Sequence, residues 1–286
     1  MTALASVDYF SDGEVAQDPY DYFDTLRRHS PVLREPHHGV VVVTGHREVL
    51  DGFARTEPLP ATNAVDGWRP PPTNEAMRML SDRVIDEFVD NGRCEFLSEY
   101  ATPFATLAAP DHAVTRDGVT RLLGSALRLL AERPEYQGLL RDDRGLVAPF
   151  VEETLRFDGP TKAVLRTTRQ PTSIGDLDVP AGTVVMLCLA AANRDPRMFL
   201  DPNTFHLSRA GIGNHVAFGP QQQTCASAPL TRMAATVTLD RLLDRTRDIR
   251  IRERAHGAAH DRMYAYEPSC LMRGLLELHV EFIAKR

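Results

Sequence analysis

The stretch VTRDGVTRLLGSALRLLAERPE, residues 114–135, narrows the folds open to this chain more than any other. Leu122, Leu123, Ala126, Leu129 and Leu130 recur at helical spacing, so a long helix with one apolar face must be covered by other elements. Candidates to cover it lie on both sides. In NEAMRMLSDRVIDEFVDNG, Met77, Leu80, Val84, Ile85 and Phe88 share one helical face, and Asn91-Gly92 supplies a stop. Helices are also predicted over 98–107, over GLVAPFVEETLRFDGP up to Gly159-Pro160, and from about Ala228 to Arg245.

The pattern changes after residue 162. AVLRTTRQPTSIGDLDVPAGTVVMLCLAAANRDP alternates short β-branched runs with turns at Ile174-Gly175-Asp176 and Pro180-Ala181-Gly182, which predicts a small sheet. Near the N-terminus, Tyr22, Phe23 and Leu26 mark a helix ended by Pro31. GVVVVTGHREVLDGFAR reads as strand, turn and short helix. Residues 57–73 form a proline-rich crossing that contains Trp68, and EPSCLMRGLLELHVEF reads as a terminal hairpin. The expected fold class is mainly α with a small β-sheet lobe, as one domain over residues 1–286.

A net charge of −6 argues against a nucleic-acid partner, which calls for a basic face. Arg245, Arg247, Arg250, Arg252 and Arg254 alternate with acids or apolar residues and read as a solvated surface. No apolar run approaches the roughly 20 residues of a membrane helix. The first residues, MTALASVDYFSDGE, lack a secretory pattern, and Cys94, Cys188, Cys225 and Cys270 form no CxxC pair. A cytoplasmic protein with reduced thiols and no membrane partner is expected.

Several segments resemble the bacterial cytochrome P-450 family of haem-thiolate monooxygenases. VEETLRFDGP is similar to the helix with the family's Glu-x-x-Arg pair, here Glu153 and Arg156. VPAGTVVMLCLAAANRDP resembles its central strand and following turn, FHLSRAGIGNHVAFG its meander, and CASAPLTR its cysteine loop running into a helix. The resemblance implies that Arg209 joins Glu153 and Arg156 in a structural triad. It implies Cys225 as axial ligand of haem b, with Arg166 and His215 near the propionates, if haem is bound.

The sequence departs from the family pattern around that group. Gln221, Gln223 and Ser227 stand where the family has a glycine, a His or Arg, and a second glycine. Its acid-threonine pair on the central helix is Asp117-Gly118 here, and helices that would roof the haem are short or missing. A reduced, truncated fold with no cofactor and no metal is therefore expected. Two functions compete for such a protein of natural-product or antibiotic biosynthesis. One is a redox-neutral cyclisation, isomerisation or elimination of a small-molecule intermediate, with Asp117 and His112 as acid-base groups that burial brings toward neutral pH. The other is an accessory partner of another biosynthetic enzyme, such as a glycosyltransferase. A haem-thiolate monooxygenase is the remaining alternative.

Overall fold

The long helix takes its place at the centre of a helical pack. The computed structural model describes residues 7–55, 72–220 and 225–285. Among them, the N-terminal part comprises α1 (Gly13–Gln17), α2 (Tyr20–His29), β1 (Val32–Arg34), β2 (Val41–Val43) and α3 (His46–Ala54). The helical body comprises α4 (Asn74–Asp86), β3 (Arg93–Glu95), α5 (Thr102–Ala108), α6 (Ala113–Ala131), α7 (Pro134–Asp142) and α8 (Val147–Asp158). Then come β4 (Val164–Thr167), β5 (Thr172–Ile174), β6 (Leu177–Val179), β7 (Val184–Leu187) and α9 (Leu189–Ala192). The chain ends with α10 (Ala228–Arg245), β8 (Thr246–Ile251), α11 (Glu253–His256) and β9 (His279–Ala284).

Helix α6 buries all five of its predicted apolar residues, and α5, α8 and α10 pack against it. Pro134 begins α7, where its missing N–H costs nothing. Helix α4 starts where the Thr73 hydroxyl accepts from Ala76 N at 3.2 Å. It closes through a 3-10 turn onto Gly92, whose φ of +67° favours glycine. The expected helix over 98–107 is two pieces: Leu97–Ala101 forms a π turn that runs straight into α5. That path stacks Phe96, Tyr100 and Phe104, with ring centroids 5.1 and 5.3 Å apart. The buried Tyr100 hydroxyl lies 2.7 Å from Ser81 Oγ and 2.9 Å from Thr238 Oγ1, linking α4 and α10 through the core.

The smaller lobe is a four-stranded sheet in the order β1-β2-β7-β4. Its central strands β2 and β7 are parallel, with Val41 opposite Val185 and Val43 opposite Leu187. Both faces of β2 are covered, which is why it is valine throughout. Helix α3 approaches so closely that a Cβ on Gly52 would meet Leu187 Cδ2 at 2.6 Å. The β5-β6 hairpin turns at Gly175, φ +55°.

The terminal segment corrects the hairpin expectation. Tyr266 and Leu275 share only an isolated bridge, and β9 inserts between β3 and β8. The residues between are drawn away toward α8: Arg273 N donates to Pro160 O at 2.8 Å, and its guanidinium donates to buried Asp158 and to Gln17 O. Arg128 donates to the same carboxylate at 2.9 Å. Burial alone would raise the Asp158 pKa, but Arg273 and Arg128 hold it well below the usual range. A local hairpin cannot compete with a carboxylate that needs both cations.

Replacing Tyr100 with Phe keeps the stacked rings and removes only the shared hydroxyl. A loss of about 1 kcal/mol in unfolding free energy is expected, read from urea unfolding of wild type and variant.

Candidate functional site

Helix α8 presents two consecutive glutamates to two different parts of the molecule, because neighbouring positions on a helix face about 100° apart. Glu153 is fully buried. It accepts from Arg156 Nε and Nη2, both at 2.8 Å, from Arg209 Nε at 2.9 Å and from the backbone N of His206 at 2.9 Å. The remaining guanidinium hydrogens go to an irregular segment. Arg156 Nη1 donates to Asn193 O and Pro202 O at 2.9 and 2.8 Å, and both arginines donate to Thr204 O. Carbonyls that have no strand or helix partner are thereby satisfied.

The same segment is fixed at two further points. Asn193 Oδ1 accepts from Val216 N at 2.7 Å, and the Asp195 carboxylate accepts from His46 N at 2.9 Å. Neither contact was read from the sequence, where the Asn-Arg-Asp-Pro turn gave only a resemblance.

Glu152 faces α10. His215 Nε2 lies 2.9 Å from its Oε2, and Arg232 Nε donates to its Oε1 at 2.6 Å. Arg232 also stacks over Phe218, 4.7 Å from the ring centroid. Burial pushes the Glu152 pKa up, but the bonds from His215 and Arg232 outweigh it and bring it to about 2. His215 lies before Cys225 in the chain and Arg232 after it, so one carboxylate clamps both flanks of the cysteine. Glu152 was missed in the sequence; the doubled acid in VEETLR is its only trace.

Cys225 is half-buried just ahead of α10. Its Sγ lies 3.0 Å from Ser227 Oγ, and its carbonyl accepts from Ala228 N at 3.0 Å. Ser227 occupies the N-cap position. The approach to the cysteine turns at Gly219, φ +86°. Gln221 and Gln223, like Trp68, fall outside the described residues. Arg166 on β4 is half-buried, donates to Leu165 O at 3.0 Å and stands 5.6 Å from the centroid of Phe53. Burial lowers its pKa.

The other expected site residues lie elsewhere. Asp117 is on the first half of α6 with its side chain 64% exposed, 3.8 Å from Arg121. The burial on which acid-base work by this carboxylate was to rest is absent. His112 takes the N-cap position of α6 without a side-chain cap bond, and no hydrogen bond joins it to Asp117 among the described residues. His215 is held by Glu152 with its side chain fully buried, so its Nε2 is not free to reach a propionate.

Comparisons with known proteins place the fold in a family. A family model described as Cytochrome P450 matches residues 127–245. The substrate-free structure of cytochrome P450 CYP150A6 from Mycobacterium marinum is 32% identical, with 99% of this chain and 100% of that chain covered at a TM-score of 0.90. The chain belongs to the cytochrome P450 family. Cytochrome P450 144 of Mycobacterium tuberculosis is 34% identical over 212 residues, covering 70% of this chain and 46% of that protein. The beta-dihydromenaquinone-9 omega-hydroxylase of the same species is 36% identical over 123 residues, 43% of this chain and 25% of its own length. The chain thus spans about half the length, or less, of the curated relatives it matches.

Family membership corrects the expectation of a cofactor-free protein. The relatives are cytochromes, and a fold neighbour from Tepidiphilus thermophilus, at 16% identity and a TM-score of 0.81, is described as a P450 heme domain. Haem is the cofactor to which these findings point. The departures at Gln221, Gln223, Ser227 and Gly118 do not outweigh them, because the family match extends over the whole chain and not over those positions alone.

Two outcomes are expected from α8. Glu153→Ala leaves Arg156 buried without its carboxylate and lowers stability by about 3–5 kcal/mol in denaturant unfolding. Glu152 has a folded-state pKa below its unfolded value, so its contribution is present above about pH 4.5 and is lost as pH falls toward 2. The stability gap between wild type and Glu152→Gln should therefore shrink across that window, as read by unfolding at pH 7, 4 and 3.

Proposed function

We propose that the chain carries the haem-binding core of a P450-type monooxygenase, with Cys225 as the axial ligand. The observation that carries this reading is the setting of Cys225: a half-buried thiol ahead of an 18-residue helix, with both flanks clamped to Glu152. The donor set fits the group. Cys225 stands just ahead of α10, and thiolate is a ligand type for haem iron. Arg166 is a half-buried guanidinium with no carboxylate in ion-pairing distance among the described residues, the environment in which a propionate is welcome. His215 serves the other side of the thiol by holding Glu152.

When bound, the haem supplies oxygen activation, with one oxygen atom going to the substrate and the other to water at the cost of two electrons from a donor. The chain's own residues orient and shield. Ser227 Oγ, 3.0 Å from the sulfur, stabilises its negative charge when it donates to it. Gly118 has nothing within 4 Å of where a Cβ would stand, which leaves room on that face of α6. The hydroxylase among the relatives supports hydroxylation of a small organic molecule as the reaction class.

The reading is tested on protein purified with haem supplied during expression. Wild type should show a Soret band that moves to near 450 nm with carbon monoxide and reductant, a shift that reports the thiolate ligand. Cys225→Ala should abolish that shift while the circular dichroism stays unchanged. A wild-type spectrum without the band, or one unaffected by the substitution, would overturn the assignment.

A further inference from the structure

The three-stranded sheet β3-β9-β8 carries a row of charges across its outer face. Arg93 pairs in register with Glu281, and Glu281 with Arg250. Side chains alternate along a strand, so the residues between them, Cys94, Val280 and Ile251, point into the core, and all three are buried. The next outward row brings Glu95, His279 and Arg252 together. Arg254 and Arg262, from the segment after β8, add to the same side.

Arg93, Arg250, Arg252, Arg254, Arg262 and Glu281 line one groove of about 960 Å³, bounded on its far side by the α6–α7 corner at Glu132 and Pro134. Five arginines face three glutamates there, in a chain whose net charge is −6. One of the three, Glu132, is already engaged by Arg128 at 2.8 Å and Arg133 at 3.3 Å. No carboxylate of the described residues stands within ion-pairing distance of Arg93, Arg250, Arg252 or Arg254. The arginines that hold the fold together behave differently: Arg121, Arg128, Arg156, Arg209 and Arg273 all have carboxylate partners. Like charges collected in a concavity repel one another unless an anion joins them.

We propose that this groove binds a small molecule bearing a diphosphate or longer phosphate chain. A guanidinium fork engages phosphate oxygens in pairs. Arg93 and Arg250 are separated by one intervening strand, about 10 Å between backbones, so their long side chains converge on adjacent phosphates rather than on one. Glu253 and Glu281, which form no ion pair among the described residues, accept hydroxyl groups, which suits a phosphate chain attached to a sugar. The site is separate from the cysteine loop and does not depend on haem.

Calorimetric titration of the full chain at low ionic strength tests this, with inorganic pyrophosphate, ADP, adenosine and sulfate as probes. Pyrophosphate and ADP should bind with Kd below about 1 mM, and sulfate and adenosine at least tenfold more weakly. Tighter binding of ADP than of pyrophosphate identifies a nucleotide site; equal binding identifies a site for the phosphate chain alone. The double variant R93A/R250A should weaken both phosphates at least tenfold with an unchanged melting temperature in their absence, while Arg28→Ala, on helix α2, should leave them unaltered. Because Arg93 and Arg250 are exposed, the double variant keeps the fold; Arg252→Gln provides an independent reduction. Absence of binding, sulfate binding equal to pyrophosphate, or titrations that the double variant does not alter would overturn the proposal.

Discussion

A carboxylate without exposed surface must be paired, and Glu153 imposes that condition on the rest of the structure. It is met by Arg156 from the same helix and Arg209 from far along the chain. Neither arginine is used up by it. Their remaining hydrogens bind carbonyls at Asn193, Leu200, Asp201, Pro202 and Thr204. An irregular segment that lacks ladder hydrogen bonds thus acquires a framework from two side chains. One buried charge organises a stretch of chain that local propensity leaves open.

Glu152 extends the arrangement by one residue. Glu153 fixes the meander, and Glu152 holds His215 and Arg232, which lie before and after Cys225 in the chain. The two acids therefore divide a single task between them, one by full burial and one by a depressed pKa. Helix α8 can hold both because Phe150, Val151 and Leu155 embed it in the core. The site is built on a helix embedded in the core, as positional precision requires.

A third buried acid, Asp158 at the end of α8, applies the same rule to the C-terminal part of the chain. Its need for Arg128 and Arg273 pulls residues 271–273 onto α8 and leaves β9 to seek partners in β3 and β8. That sheet in turn aligns Arg93 with Arg250 across Glu281 and creates the cationic groove. Charges that read along the sequence as a solvated run become a concave surface only when strands distant in the chain lie side by side.

Helical periodicity was enough to specify α4, α6, α8 and α10, since the apolar spacing of each is carried by its own residues, although the second half of α6 is buried on every side. The turn glycines and β-branched runs marked the strands β4 to β7 for the same local reason. The Glu-x-x-Arg spacing and the cysteine ahead of a helix were likewise visible in the chain. Their surroundings were not. The clamp by Glu152, the anchoring of Asp195 to His46 and the pairing of β3 with β9 join residues distant in the chain, and no local pattern encodes such a partner. Asp117 shows the converse: its type suggested acid-base chemistry, and only its exposure in the packed structure removed the basis for it. Local spacing determined the elements and the residues available for chemistry; burial and long-range pairing, which exist only once the chain is packed, decided which of them act together.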